Sequence, residues 1–138
     1  MTAAFALKAS LTDPLPEHLD LSAVKTMYGG KAVANGDAVF IFASESSGGH
    51  GLAARGIVAA ATATPRRPGT ERQTPRVDLT IRLTAMARRP LGRAALKTFS
   101  DWDDGRPQTE LNFKFYRQAT NKLAGLSTGA VQFLDDFF

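Results

Sequence analysis

The sequence predicts a small α+β fold, a mostly antiparallel sheet curled into a barrel or pseudo-barrel with a few short helices. Three observations carry that expectation. Strand-like segments follow one another with few helices between them, unlike the strand–helix alternation of a doubly wound sheet. Val77, Leu79, Ile81 and Leu83 alternate strictly with Asp78, Thr80 and Arg82, the period-2 pattern of a strand with one wet face. Ala38, Val39, Phe40, Ile41 and Phe42 form a continuous apolar run behind the turn signal Asn35-Gly36-Asp37, and their β-branched and aromatic content favours a buried strand. At 138 residues the chain has single-domain length and enough apolar content for a real core, so one domain spanning 1–138 is expected.

Taken in order, Phe5, Leu7, Ala9 and Leu11 alternate with Ala6, Lys8 and Ser10, which reads as a first strand ended by Asp13-Pro14 and Pro16. Residues 19–27 read as a short helix with Asp20 or Ser22 as its cap, closed by Tyr28-Gly29-Gly30. The buried strand at 38–42 leads into a glycine-rich loop over 44–51. A further strand is expected over 52–64, rich in alanine, with Gly56 a bulge or a point of close approach. Residues 65–75 carry prolines and arginines with no hydrophobic period and read as an exposed, mobile loop. After the strand at 77–83, Arg89-Pro90-Leu91-Gly92 is a break and 94–99 a helical turn or two. Residues 100–108 form an acidic turn holding Trp102, either a lid or the plug of a small core. Leu111, Phe113 and Phe115 alternate with Asn112, Lys114 and Tyr116 as another strand, with Phe113 and Phe115 facing inward. Leu123 and Leu126 lead to Ser127, the N-cap of a terminal helix whose apolar stripe includes Phe133, Leu134 and Phe137.

Charge is distributed unevenly. Nine arginines lie between Arg55 and Arg93 against Glu71 and Asp78 alone, a local charge of +7 (nine minus two) in a chain of net charge +4. A guanidinium fork suits phosphate, so this segment is the expected footprint of a nucleic-acid partner. A solvated loop is the competing reading. The chain has no cysteine, which excludes a disulfide framework, a thiol nucleophile and a thiolate metal site. Residues 1–11 show no basic region followed by an apolar run, and no stretch approaches the roughly 18 apolar residues that span a bilayer. No membrane partner is expected, and the cytoplasm is the default location.

The catalytic inventory is thin. His18 and His50 are isolated, without metal-ligand spacing. His18 reads as a surface residue, whereas His50 lies in the glycine-rich loop behind a buried strand, where sites tend to be built. Asp101, Asp103 and Asp104 lack the glycine and terminal glutamate of a calcium loop. Ser44-Glu45-Ser46-Ser47 is not a nucleophile elbow, and Gly48-Gly49-His50-Gly51 lacks the lysine and hydroxyl of a phosphate loop. No metal or cofactor is expected. Phe113-Lys114-Phe115-Tyr116-Arg117-Gln118 interleaves aromatic with basic residues, a composition able to stack a base while a cation holds phosphate.

The layout resembles the EVE domain family of the PUA-like superfamily. The resemblance runs through Leu7-Lys8-Ala9-Ser10, then residues 36–44 from Gly36-Asp37 to Ala43-Ser44, then 51–58 from Gly51-Leu52 to Ile57-Val58. It closes with Tyr116-Arg117-Gln118 and Leu126-Ser127 leading to the last helix. Tryptophans usual in the family's first strand and helix are absent here, with Phe5 and Tyr28 nearby instead, and the loop after Ser44 lacks the common asparagine. The resemblance implies a small β-barrel that binds nucleic acid, reading modified bases in a pocket beside the first strand and the loop after the apolar strand. Carried over, that pocket would involve Lys8, Ser10, Ser44, Glu45 and His50, with Arg117 nearby. The expected function is a non-enzymatic module accepting a flipped or modified base in DNA or RNA, with Arg66, Arg67, Arg72 and Arg76 on the phosphates. A small-molecule sensor on the same scaffold is the alternative. An RNA-processing enzyme using Asp37 or Glu45 is a third and weaker reading.

Overall fold

The computed structural model describes residues 4–12, 14–45, 48–64, 76–116 and 122–138, and for 115 and 116 the backbone only. Six strands form a closed barrel: β1 (Ala4–Ala9), β2 (His18–Met27), β3 (Ala38–Ala43), β4 (Gly51–Ala63), β5 (Arg76–Met86) and β6 (Lys122–Gly125). Around the barrel they run β1-β3-β4-β5-β2-β6, and β6 closes against β1. Pairings β1–β3 and β2–β6 are parallel and the other four antiparallel, so the sheet is mixed but mostly antiparallel, as expected. Four short helical pieces complete the described residues: a 3-10 turn (Gly30–Ala32), α1 (Arg93–Leu96), α2 (Pro107–Leu111) running into a π-helical turn (Asn112–Tyr116), and α3 (Thr128–Asp135).

Two apolar layers hold this together. The barrel interior packs Phe5, Leu7, Val39, Ile41, Val58, Leu79, Ile81 and Leu123. A second layer lies between the outer face of β1, β3 and β6 and the helices: Ala6, Phe40, Phe42, Ala124, Leu96, Leu111, Leu134 and Phe137. β3 is therefore buried on both faces, which is why its sequence is unbroken apolar rather than alternating. β5 keeps one wet face, with Arg76 and Arg82 exposed, and its alternation survives in the sequence. The terminal helix α3 is seated as expected: Ser127 Oγ accepts from Ala130 N at 3.2 Å, and Leu134 is fully buried. Arg55 adds an ion pair to Asp135 at 3.1 Å.

Two sequence expectations are corrected. Residues 19–27, expected as a helix, are strand β2. Between Leu21 and Val24 the register against β5 slips, because three β2 steps oppose the two from Leu79 to Val77. This bulge, with Ala23 at φ 53°, shifts the inward phase, so Leu19 and Leu21 face inward before it and Val24 and Thr26 after it, and the strand's period-2 pattern is broken in the sequence. Tertiary hydrogen bonds hold it: Asp78 Oδ1 accepts from Ala23 N at 2.8 Å, and Arg76 Nη1 donates to Ala23 O at 2.9 Å. The second correction concerns residues 111–116, expected as a strand, which are helical. Pro107 at the helix start, its missing N–H costing nothing there, nucleates α2, and the Glu110–Lys114 ion pair at i,i+4 spacing (3.1 Å) supports the following turn. Phe113 does not face the core but is 38% exposed.

β6 itself was not foreseen. Gly56 is the point of close approach: a Cβ there would lie 2.5 Å from Arg82 O, at a register slip between β4 and β5. The expected loop over 65–75, with Arg66, Arg67 and Arg72, lies outside the described residues, as do Arg117 and Gln118.

Candidate nucleic-acid interface

The end of the barrel where β1 and β3 finish is built from three crossing loops. Ser44 N donates to Ala9 O at 2.9 Å, carrying the β1–β3 pairing one step past the strands. Gly49 N returns to Ser44 O at 2.9 Å, folding the loop back on β3. Gly51 then passes under the backbone of Leu91, with φ 84° and an imagined Cβ only 2.0 Å from Leu91 O. Only glycine fits there without displacing backbone. Leu52 N donates to Leu91 O at 3.0 Å, so the loop after β3 is tied to the segment after β5.

These ties enclose a cavity of about 610 Å³, with Leu11, Leu15 and Met86 on its apolar side and Ser44, His50 and Arg88 among its polar lining. That volume lies within the range of small-ligand sites. Ser44 is buried, while His50 and Ser10 are exposed. Met86, 57% exposed, is an open apolar wall. Lys8 and Glu45 lie on the outer side of the same end. Glu45 Oε2 accepts from Arg93 N at 2.8 Å, and a Cβ on Gly92 would approach both Glu45 Oε1 (2.9 Å) and His50 O (3.6 Å). Burial pulls the Lys8 pKa below the ordinary lysine value, with Glu45 opposing that shift and Arg93 adding to it. Lys8, Ser44, Glu45 and His50 thus occupy one end of the barrel, two lining the cavity and two beside it.

The sequence reading missed the most basic feature of this end. Lys8 on β1 sits opposite Lys122 on β6, and Lys122 sits opposite Lys25 on β2. Three lysines thus stand in one cross-strand row, far apart in sequence. Lys122 is only 3% exposed. Its pKa is lowered by burial first, then by the charges of Lys25 and Lys8. No sequence signal marks the row, because it exists only once β6 is inserted between β1 and β2. Arg76, expected on phosphates, is exposed with one guanidinium nitrogen on Ala23 O.

No family model matches the chain, and no curated protein does. Solved structures match along nearly its whole length. Human THYN1 in complex with 5-methylcytosine-containing DNA superposes with a TM-score of 0.65 at 16% identity, covering 96% of this chain and 95% of that one. A hypothetical protein from Leishmania major gives 0.66 at 16% identity over 99% and 94%. Protein PSPTO5229 from Pseudomonas syringae gives 0.60 at 16% identity over 99% and 100%. At such identities the likeness is one of fold: a small closed barrel with few short helices.

Proposed function

We propose that this protein is a non-enzymatic nucleic-acid-binding module of the EVE type. Its barrel-end cavity receives one flipped, unpaired or modified base. The observation that carries this reading is the in-register row Lys8–Lys122–Lys25 beside the cavity. Lys8 and Lys25, the half-buried members of the row, suit contacts to a phosphate backbone, and the cavity's apolar walls with buried Ser44 suit a base whose edge needs a few polar contacts. The DNA complex of the similarly folded human THYN1 supports the partner class. Arg66, Arg67, Arg72 and Arg76 extend the phosphate contacts in this reading, and Ser10 and Arg117 join the pocket. His50 contributes affinity rather than chemistry in this reading.

The test is a titration of labelled oligonucleotides that are single-stranded, fully paired, or paired around one mismatched or 5-methylated cytosine. Tighter binding where a base is easily extruded is expected, because extrusion costs a few kcal/mol that mismatch lowers. His50→Ala should weaken that binding by about 2- to 13-fold, the worth of one hydrogen bond. Recovered strands should be chemically intact. Equal and salt-insensitive affinity for all substrates would refute the reading. A second reading, a small-molecule binding protein, draws on the apolar lining of the 610 Å³ cavity. Tight binding of free nucleosides or metabolites with no oligonucleotide binding would favour it.

A further inference from the structure

Four large apolar side chains are conspicuously exposed among the described residues: Tyr28, Met86, Trp102 and Phe113. Met86 belongs to the cavity above. The other three form one row. The Phe113 ring lies 5.6 Å from Tyr28 and 5.3 Å from Trp102, centroid to centroid, with the planes tilted by 55° and 59°. They come from three separate places: the end of β2, the π-helical turn, and the turn before α2. Trp102 and Phe113 also wall a hollow of about 260 Å³, whose charged lining is Arg106, Glu110 and Lys114.

Exposed rings are costly in water, and three in contact are not explained by core packing, since their outer faces remain wet at 37–43% exposure. Their position suggests what covers them. Lys114 Nζ donates to Gly125 O at 2.8 Å and lies 5.7 Å from the Tyr28 ring centroid, which anchors the row at the far end of β6. Lys122 begins that strand, three residues from Gly125, about 10 Å at strand rise. Tyr28 lies three residues after Lys25, one residue past the end of the neighbouring strand β2. The aromatic row thus sits at the end of β6 opposite the lysine row. About three stacked nucleotides at 3.4 Å rise would span the gap. The acidic turn carrying Trp102 sets the polarity: Asp104 is held by Arg106 N at 2.9 Å and Thr109 Oγ1 at 2.9 Å beside the hollow. Phosphates are drawn to the lysine end and neutral base faces to the rings.

We propose that Tyr28, Phe113 and Trp102 form a stacking platform for unpaired bases of a single-stranded nucleic acid, at the end of β6 opposite the lysine row. This rests on the nucleic-acid reading above and adds a second contact area, outside the base-accepting cavity. Duplex ends or flanks that are single-stranded would reach it. Stacking on an aromatic face tolerates any base, so the platform would add affinity without sequence preference.

Trp102 is the sole tryptophan of the chain, so its emission reports directly on the platform. The experiment titrates the full protein with a 12-nucleotide oligothymidylate, reading tryptophan emission and, separately, anisotropy of a label on the strand. The expected result is quenching in step with anisotropy. Trp102→Ala and Phe113→Ala should each lose about 5- to 150-fold in affinity, the span of one base stack, with the slope against log salt unchanged. Trp102→Phe should retain most of the affinity, which separates stacking from a folding defect. Anisotropy binding without quenching, and with Trp102→Ala at wild-type affinity, would overturn the platform and leave the nucleic-acid function standing. No anisotropy change at any salt would overturn both. Quenching by a basic peptide in place of the strand would assign the rings to a protein partner and overturn the proposal.

Discussion

Replacing Lys8, Lys25 and Lys122 together by methionine tests the interface most directly. Methionine keeps the length of the stem, so Lys122, at 3% exposure, is not exchanged for a cavity. Each phosphate contact contributes about 0.7 to the slope of log affinity against log salt for a single strand. Lys122 is buried, so the two contacts open to Lys8 and Lys25 contribute about 1.4, and over the fourfold range from 50 to 200 mM salt that becomes about a 7-fold difference. Wild-type protein should therefore lose about 7 times more affinity across that range than the triple variant. A single lysine accounts for about 2.5-fold. Fluorescence anisotropy on a labelled strand measures both slopes. Parallel slopes for wild type and triple variant would refute the assignment of the row to phosphate. The same variant tests the cost of the row in the free protein. Lys8 and Lys122 have folded pKa values below the ordinary 10.5, so between those values and 10.5 the unfolded chain binds more protons. Stability should then rise with pH through that window, and the rise should shrink in the variant.

Asp78→Ala should lower the melting temperature by releasing Ala23 N and Thr64 Oγ1 from the bulge of β2. Hydrogen bonds hold the Asp78 pKa below 3.8, so its contribution is present above that value and lost as pH falls through the folded pKa; wild type and variant should converge in acid melts. Leu134→Ala should cost about 3 kcal/mol and on the order of 10 °C in Tm, as for a fully buried leucine, and an unchanged thermal melt would show that α3 is not part of the core. Arg66, Arg67 and Arg72 replaced by alanine should flatten the salt slope for every sequence tested, and an unaltered slope would remove that segment from the interface.

Local chemistry alone determined much of this protein. Strict alternation in β5, the apolar run of β3, the Asn35-Gly36-Asp37 turn and the Ser127 cap all act within a few residues, and each is where the sequence places it. The loop over 44–51 was legible for the same reason, since Gly48, Gly49 and Gly51 mark a tight return. Tertiary structure decided the rest. β2 hides its strand period behind a bulge whose hydrogen-bond partner, Asp78, is 55 residues away. The alternation of Leu111, Phe113 and Phe115 resembled a strand because exposed Phe113 counts as apolar in a sequence while lying on the surface. β6 is four residues long and exists because barrel closure satisfies the edges of β1 and β2. The lysine row follows from that closure: cross-strand neighbours are set by register, and register is fixed by which faces the whole barrel buries.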